Sequence, residues 1–521
     1  MKVLTGTQMA DVDKKAIHDL GIDGLILMEN AGIKIFQRIK EIIKDLTEKD
    51  NMPFSYVLII AGKGNNGGDG FVIARHLLSE GYSVKVYAIA EESEYKGDAL
   101  KTYKALKNFC EITTITEEIK DELENDIQEA SIVVDALLGT GFKGPVKGFY
   151  YDVIGLINES DGIVFSVDIP SGVEADTGKV NNIAVEADYT ETLAAPKLGL
   201  LVMPGTEYTG ELGISDIGIP DYLIRQSKSN VYLTTDDYIC DLMPIRVDES
   251  NKGTYGKVLT IAGSYTMTGA ALLTSYSSLK IGSGMSILAC PGSMVPYYAG
   301  IYPELTYVAL PETSAKTIAS SASSMLIDKL ESYDVVAIGP GIGVDDETKR
   351  LVSDICIEAK NKDIPLVIDA DGLNCLAELK GVKLFNNAIL TPHPKELSRL
   401  LDVSLDDVLA DRLSMANKAA DRFGCSVVLK GSKTLIVSKD AVFINPTSTS
   451  ALATAGTGDV LTGMIAGLVA QGLSVYDAAV CAVYIHGLAG ELAAKKLTEY
   501  SVVASDVMNC IPEALIELGV L

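Results

Sequence analysis

The sequence predicts an α/β protein with two domains of unequal size. Three observations carry that expectation. Short apolar runs alternate with segments of helical periodicity, the pattern of parallel strands covered by helices on both faces. The chain holds 47 glycines, no tryptophan and only 6 % aromatic residues, which leans away from an all-β sandwich. Its 521 residues suggest roughly two to four domains.

The elements follow in order. Met9, Val12, Ala16, Ile17 and Leu20 recur at helical spacing before Gly21, a stop signal. A second helix is expected over 25–44, then a polar segment, 45–55, containing Pro53. Residues 56–60 read as a buried strand, 61–70 as a glycine-rich loop, 71–80 as a helix and 83–88 as a strand. Further strands are expected over 132–135 and 163–168, each ending on an aspartate. In a parallel sheet, ligands sit at the carboxyl ends of strands, so Asp135 and Asp168 are candidates by position. Residues 216–220 close the first domain, 225–230 read as a connector, and the boundary is expected near 220–235. A second β/α series is expected over 257–263, 335–339, 366–369, 388–391, 426–429 and 434–437, then helix from 458 to about 496.

Composition excludes several classes. With 44 Lys and Arg against 70 Asp and Glu, the formal charge of −26 argues against a nucleic-acid or anionic-membrane partner. The eight cysteines form no C-x-x-C pair, so neither a zinc ribbon nor a disulfide framework is expected. Residues 1–21 lack the apolar core of a secretory signal, and the apolar run 460–473 is too short to span a membrane. A cytoplasmic protein with reduced thiols is expected.

The first chemistry-bearing motif is Gly62-Lys-Gly64-Asn-Asn-Gly67, formally G-x-G-x-x-G between a strand and a helix, with Glu91 and Glu92 about 20 residues on. Glycines let backbone approach a diphosphate, and a helix N-terminus supplies amides and a positive dipole. The same pattern also suits a bare tight turn. Asn65, Asn66 and Asp69 add oxygen donors that suit a hard cation as well. Asp135 leads into a Gly/Thr/Lys loop, and Asp168-Ile-Pro-Ser171-Gly172 pairs a strand-end aspartate with a hydroxyl. Either aspartate could simply cap its turn.

Together with Met28-Glu-Asn-Ala-Gly32, these motifs resemble the NAD(P)HX epimerase domain over about 1–222. The resemblance implies a Rossmann-like fold that equilibrates the R and S epimers of the hydrated cofactors NADHX and NADPHX. It further implies a potassium ion on Asn66, Asp135 and Ser171. Substrate contacts are implied for Asn65, Asn66, Gly67, Gly68 and Asp69, for Gly139, Thr140, Gly141, Phe142, Lys143, Gly144 and Pro145, and for Asp168. Asp168 is expected to be the catalytic acid and base, a buried carboxyl with a raised pKa.

In the second half, Ala455-Gly-Thr-Gly-Asp459 precedes a long apolar helix. Amides there form an anion hole, and Asp459 is placed to take a proton from an attacking hydroxyl, although Asp also caps helices routinely. Lys430-Gly431-Ser432-Lys433-Thr434 follows a strand but is no Walker A loop. With Gly339-Pro-Gly341-Ile-Gly343, Asp369-Ala-Asp371, Thr391-Pro-His393-Pro-Lys-Glu396 and the segment 263–270, this half resembles the ribokinase-like NAD(P)HX dehydratase domain over 235–521. That implies substrate contacts at Ala270, Gly341, Gly343, His393 and Asp459. Nucleotide contacts are implied for Lys430, Gly431, Ser432, Lys433 and Thr434, and for Ala451, Thr454, Ala455, Gly456 and Gly458. Magnesium is implied at Glu396. Asp459 is the expected catalytic base of an ADP-driven dehydration of the S epimer. The partners expected are these small molecules and further copies of the chain. Two other readings stay open: an NAD-dependent dehydrogenase fused to a small-molecule kinase, and a non-catalytic nucleotide-binding scaffold.

Overall fold

The computed structural model describes residues 1–49, 53–379 and 381–520. The chain divides into two compact units, Met1–Val231 and the part from Tyr232 onward.

In the first unit β1 (Val57–Ala61), β2 (Val84–Ala88), β3 (Thr113–Thr114), β4 (Ile132–Ala136), β5 (Ile163–Val167), β6 (Tyr189–Leu193) and β7 (Glu211–Ser215) form one sheet in the order β3-β2-β1-β4-β5-β6-β7. Every pairing is parallel. Alternate side chains feed two cores: Val57, Ile59 and Ala61 enter one, Leu58 and Ile60 the other. That is why β1 reads as an unbroken apolar run. The chain order reverses between β1 and β4, so a crevice opens beyond their carboxyl ends.

β8 (Val231–Leu233) lies where the units meet in sequence. The second sheet then uses β9 (Lys257–Ile261), β10 (Met285–Pro291), β11 (Thr306–Leu310), β12 (Val335–Ile338), β13 (Leu366–Ile368), β14 (Ala388–Leu390), β15 (Ser426–Leu429), β16 (Leu435–Val437) and β17 (Val442–Ile444). Its order is β11-β10-β9-β12-β13-β14-β15-β16-β17-β8. Pairing is parallel from β11 to β15 and antiparallel across β15-β16-β17. The order reverses between β9 and β12.

Several expectations change. The helix expected over 71–80 runs Asn65–Ser79, so most of the supposed glycine loop is helical first turns. Thr5 and Gln8 form a reciprocal cap that starts the first helix at Gly6, earlier than its apolar stripe suggests. Within the polar segment 45–55, Asp45–Lys49 is a π-turn extending the preceding helix, and residues 50–52 lie outside the described residues. β6 and β7 fall where no strand was expected. Three of five β6 residues are Thr or Glu, buried through hydrogen bonds such as Ser215 Oγ to Glu191 Oε1 at 2.6 Å. β3, β10, β11 and β17 were also not foreseen.

The apolar helix Thr457–Ala470 packs closely on helix Thr268–Lys280. A methyl group on Gly463 would lie 2.0 Å from both Ser277 Oγ and the Thr274 carbonyl oxygen. Gly463→Ala gains about 1 kcal/mol of helix propensity, but prying the helices apart costs about 1–3 kcal/mol or more. Net destabilisation is expected, read as an earlier urea midpoint; a later midpoint would contradict the close packing.

Candidate active sites

In the first unit a cavity of about 610 Å³ lies at the β1/β4 reversal. Beyond β1, the helix Asn65–Ser79 starts from Gly64 with no side-chain cap, so its first amides remain available. A methyl on Gly62 would lie 1.8 Å from the Leu137 carbonyl oxygen, so only glycine lets the loops after β1 and β4 approach this closely.

Asp135, at the end of β4, is fully buried. It accepts from Ser166 Oγ (3.0 Å), Ser171 N (2.8 Å), Ser171 Oγ (2.6 Å) and Leu137 N (3.2 Å). Burial still pushes its carboxyl above the usual range. Asn66 donates to the Leu138 carbonyl at 3.0 Å, and Leu138 N donates to Ser171 Oγ at 2.8 Å. Asn66, Asp135 and Ser171 therefore meet around Leu138. The donors are all oxygen, around one buried carboxylate that no Lys or Arg among the described residues pairs with. That set fits a hard monovalent cation.

Asp168, just past β5, has a left-handed backbone with φ 66°. Its Oδ1 accepts from Lys197 Nζ (2.5 Å), Leu193 N (3.0 Å) and Thr192 Oγ1 (3.1 Å), which over-determine the strained conformation. Lys197 is 1 % exposed. It also donates to the Leu193 carbonyl (2.7 Å) and Thr192 Oγ1 (3.1 Å). Asp168 is thus paired with a buried lysine. The carboxyl that burial holds well above the ordinary range, with Asp168 and Asp13 adding, is Asp69.

In the second unit Asp369, just past β13, accepts from Lys430 Nζ at 2.8 Å and Thr462 Oγ1 at 2.6 Å. Burial opposes the Lys430 charge, but Asp369, Glu396 and Asp459 outweigh it and raise that pKa. Asp459 lies in the first turn of helix Thr457–Ala470, which starts at Gly456 with no side-chain cap. Burial, then Asp369, pushes Asp459 up to about 7. Burial likewise pushes Glu396 up to about 7 against Lys430. His393 caps helix Pro394–Leu401: its Nδ1 accepts from Lys395 N (3.1 Å) and Glu396 N (3.3 Å). With Nδ1 accepting, the ring proton sits on Nε2, and burial, then Lys430, lowers the pKa of His393. At the β9/β12 reversal Gly263 N donates to the Pro340 carbonyl at 2.8 Å. Ala270 and Gly341 are neighbours there, for a methyl on Gly341 would lie 3.1 Å from Ala270 Cβ. Gly343 N donates to Asp371 Oδ2 at 2.9 Å. A cavity of about 540 Å³ is lined by Lys430, Gly431, Ser432, Thr434 and Gly458, together with Thr447–Ser450 and His486.

Not every expected residue faces a cavity. Asn65, Asn66, Asp69, Gly139, Thr140, Gly141, Phe142 and Asp168 line the first. Gly67 and Gly68 do not. A methyl on Gly67 would lie 1.8 Å from the Gly62 carbonyl oxygen, and one on Gly68 2.7 Å from Met28. Lys143 turns outward to Asp176 (2.8 Å), Gly144 N donates to Glu174 (2.9 Å), and Pro145 is exposed beyond the cavity. In the second unit, Lys433 donates to the Pro446 carbonyl (3.0 Å), Ala451 is buried in the core, and Thr454 donates to the Val502 carbonyl (3.2 Å). Ala455 and Gly456 lie outside the cavity lining. Glu91 caps a short turn and Glu92 pairs with Lys107 (2.7 Å); neither lines the first cavity. Sequence reasoning missed Asp13, Lys197, His486 and the role of Asp369. Lys197 follows a strand and a proline, a weak signal; Asp369 ends a strand and was legible.

Residues 24–199 match the family described as YjeF-related protein N-terminus, and residues 258–513 the NAD(P)H-hydrate dehydratase family. A bifunctional NAD(P)H-hydrate repair enzyme of Moorella thermoacetica is 38 % identical, covering 99 % of this chain and 97 % of the relative. One from Thermofilum pendens is 40 % identical, covering 99 % and 96 %. A solved ribokinase-like superfamily protein of Enterococcus faecalis V583 superposes with TM-score 0.50 at 24 % identity, covering 56 % of this chain and 98 % of that one, which establishes the fold of the second unit. With two relatives matching from end to end, the chain belongs to the bifunctional NAD(P)H-hydrate repair enzymes.

Proposed function

We propose that this chain repairs hydrated nicotinamide cofactors by two reactions, one in each unit. Residues 1–222 interconvert the R and S epimers of NADHX and NADPHX. Residues 235–521 dehydrate the S epimer to NADH or NADPH with consumption of ADP. The observation that carries the reading is Asp459: a carboxyl held at about 7, at the uncapped start of a helix and beside Lys430. A general base works best with a pKa near the working pH. The dehydrogenase reading loses its support, because neither Glu91 nor Glu92 reaches the first cavity.

In the dehydratase unit, Asp459 accepts the proton of the C6 hydroxyl as its oxygen attacks the terminal phosphoryl group of ADP, whose phosphoanhydride bond breaks with AMP as the leaving group. Ring nitrogen then expels phosphate, and loss of the C5 proton restores the dihydropyridine. Phosphorylation converts hydroxide, a poor leaving group, into a good one. Lys430, Gly431, Ser432, Thr434 and Gly458 hold the nucleotide, with Lys433, Ala451, Thr454, Ala455 and Gly456 shaping the loops behind. Ala270, Gly341, Gly343 and His393 receive the hydrated ring. Magnesium, which would neutralise phosphate charge, would be held by Glu396 together with phosphate oxygens.

In the epimerase unit, the start of helix Asn65–Ser79 and the loop at Gly139–Phe142 hold the substrate, and the Lys197-bound carboxylate of Asp168 accepts a proton. A potassium ion held by Asn66, Asp135 and Ser171 would supply positive charge beside the buried Asp135. We place the protein in the cytoplasm as a homo-oligomer; sedimentation and fractionation test both.

The direct test follows NADH absorbance with NADHX and ADP; a scaffold produces none, and a dehydrogenase requires an oxidisable substrate instead. Asp459→Asn should lower dehydration about 10³-fold while R–S interconversion continues; equal loss of both sinks the two-site reading. The same variant has a stability signature. A carboxyl raised to about 7 holds its proton in the folded state, so stability is lost as pH rises through 7. Asp459→Asn should therefore melt above the wild type at pH 8, with the gap shrinking towards pH 4.

Lys197→Met leaves Asp168 without its cation and should lower interconversion about 100-fold with dehydration intact; a normal interconversion rate removes Lys197 from the site. Exchange of potassium for tetramethylammonium should slow interconversion reversibly and leave its midpoint of thermal unfolding lower; indifference of both argues against the cation.

A further inference from the structure

Three carboxyl groups converge on the cavity of the first unit: Asp13 from helix Gly6–His18, Asp69 from helix Asn65–Ser79, and Asp168 past β5. The buried cation among them is already committed. Lys197 directs its ammonium protons to Asp168, Thr192 Oγ1 and the Leu193 carbonyl. The other titratable groups lining the cavity are Lys63, exposed at its mouth, Asp98, paired with Lys101 at 2.8 Å, and Tyr150. Asp69 is only 8 % exposed, and no donor among the described residues bonds its carboxyl or that of Asp13. Two carboxyls facing one low-dielectric cavity without a cation of their own do not both ionise.

We propose that Asp69, backed by Asp13, is the proton donor of the epimerase reaction, acting opposite the Lys197-bound Asp168. This rests on the epimerase reading of the unit. Written for the water-loss route, the Asp69 proton passes to the C6 hydroxyl oxygen. The C6–O bond breaks with its electron pair leaving on water, and the ring-nitrogen lone pair forms C6=N. Water then adds to the other face: a new C6–O bond forms, the C=N pair returns to nitrogen, and the released proton goes to Asp168. Proton exchange between Asp168 and Asp69 through water restores the starting state. Two carboxyls of unlike environment give an acid and a base, as inversion from either face requires. The electrostatics agree: burial, then Asp168 and Asp13, holds Asp69 well above the usual range, and burial pushes Asp13 up to about 6.

The test is the pH profile of R–S interconversion by the full-length protein, followed by chromatography with the uncatalysed rate subtracted. The active form carries the proton on Asp69, so the rate falls as pH rises through its titration. Asp13→Asn removes a negative neighbour, and the basic limb should move about one pH unit lower. Asp69→Asn should lose about 100-fold or more at every pH, and Asp69→Glu should recover part of it. An Asp13→Asn profile that superimposes on the wild type overturns the proposal, and so does an Asp69→Asn rate within about threefold of wild type. A wild-type protein that interconverts nothing overturns the epimerase reading itself.

Discussion

Parallel pairing across the β1/β4 seam, and again across β9/β12, decides where the chemistry of each unit lies. Right-handed crossovers on either side of such a seam carry the following segments to opposite faces of the sheet. The loops must then part at the carboxyl edge, and a crevice opens that no side chain of the sheet fills. In the first unit that crevice receives the helix start at Asn65 and the loop after Asp135. In the second, Gly263 and Pro340 meet across it through one backbone hydrogen bond. Neither helix that opens a site, Asn65–Ser79 or Thr457–Ala470, has a side-chain cap. A cap would satisfy the amides that an anion needs.

Both crevices also set the same electrostatic problem. Ionising a carboxylate in a low-dielectric pocket costs several kcal/mol unless something compensates. Each unit brings a lysine onto an aspartate at its crevice: the buried Lys197 with Asp168, and the half-buried Lys430 with Asp369. Burial then pushes four other carboxyls towards their neutral form. Asp69 and Asp13 go up in the first unit, Glu396 and Asp459 in the second. Proton-transfer groups with raised pKa values thus arise from burial that no second cation offsets. The pattern weakens the fold locally, as strained sites do.

The sequence made the sheets' central strands legible because they are buried on both faces and read as apolar runs. β6 was not, since its Thr190, Glu191 and Thr192 are buried by hydrogen bonding that periodicity does not register. The helix at Asn65 was misread for a related reason: Asn-Asn-Gly-Gly-Asp-Gly has poor helix propensity, and close packing against Gly62 and Met28 overrides it. Strand-end aspartates were legible by position alone. Lys197 was not, because its partner Asp168 lies 29 residues away and only the adjacency of β5 and β6 joins them. Asp13 came from a helix whose apolar stripe accounts for its neighbours and says nothing of one acid beside it.

A chain of formal charge −26 is a poor candidate for holding polyanions on its surface, yet it fits small phosphorylated ligands. The resolution lies in which groups do the holding. Lys143 and Lys433, two lysines within the motif loops, point elsewhere, to Asp176 and to the Pro446 carbonyl. Besides Lys63, Lys430 and several hydroxyl side chains, the cavities offer backbone: uncapped helix amides, and glycines such as Gly458, where a methyl would lie 3.2 Å from Lys430 Nζ. Amide donors are neutral and fixed by the fold, so they bind an anion without a surface cation. The lysines that reach the cavities also orient aspartates, Lys197 holding Asp168 and Lys430 holding Asp369.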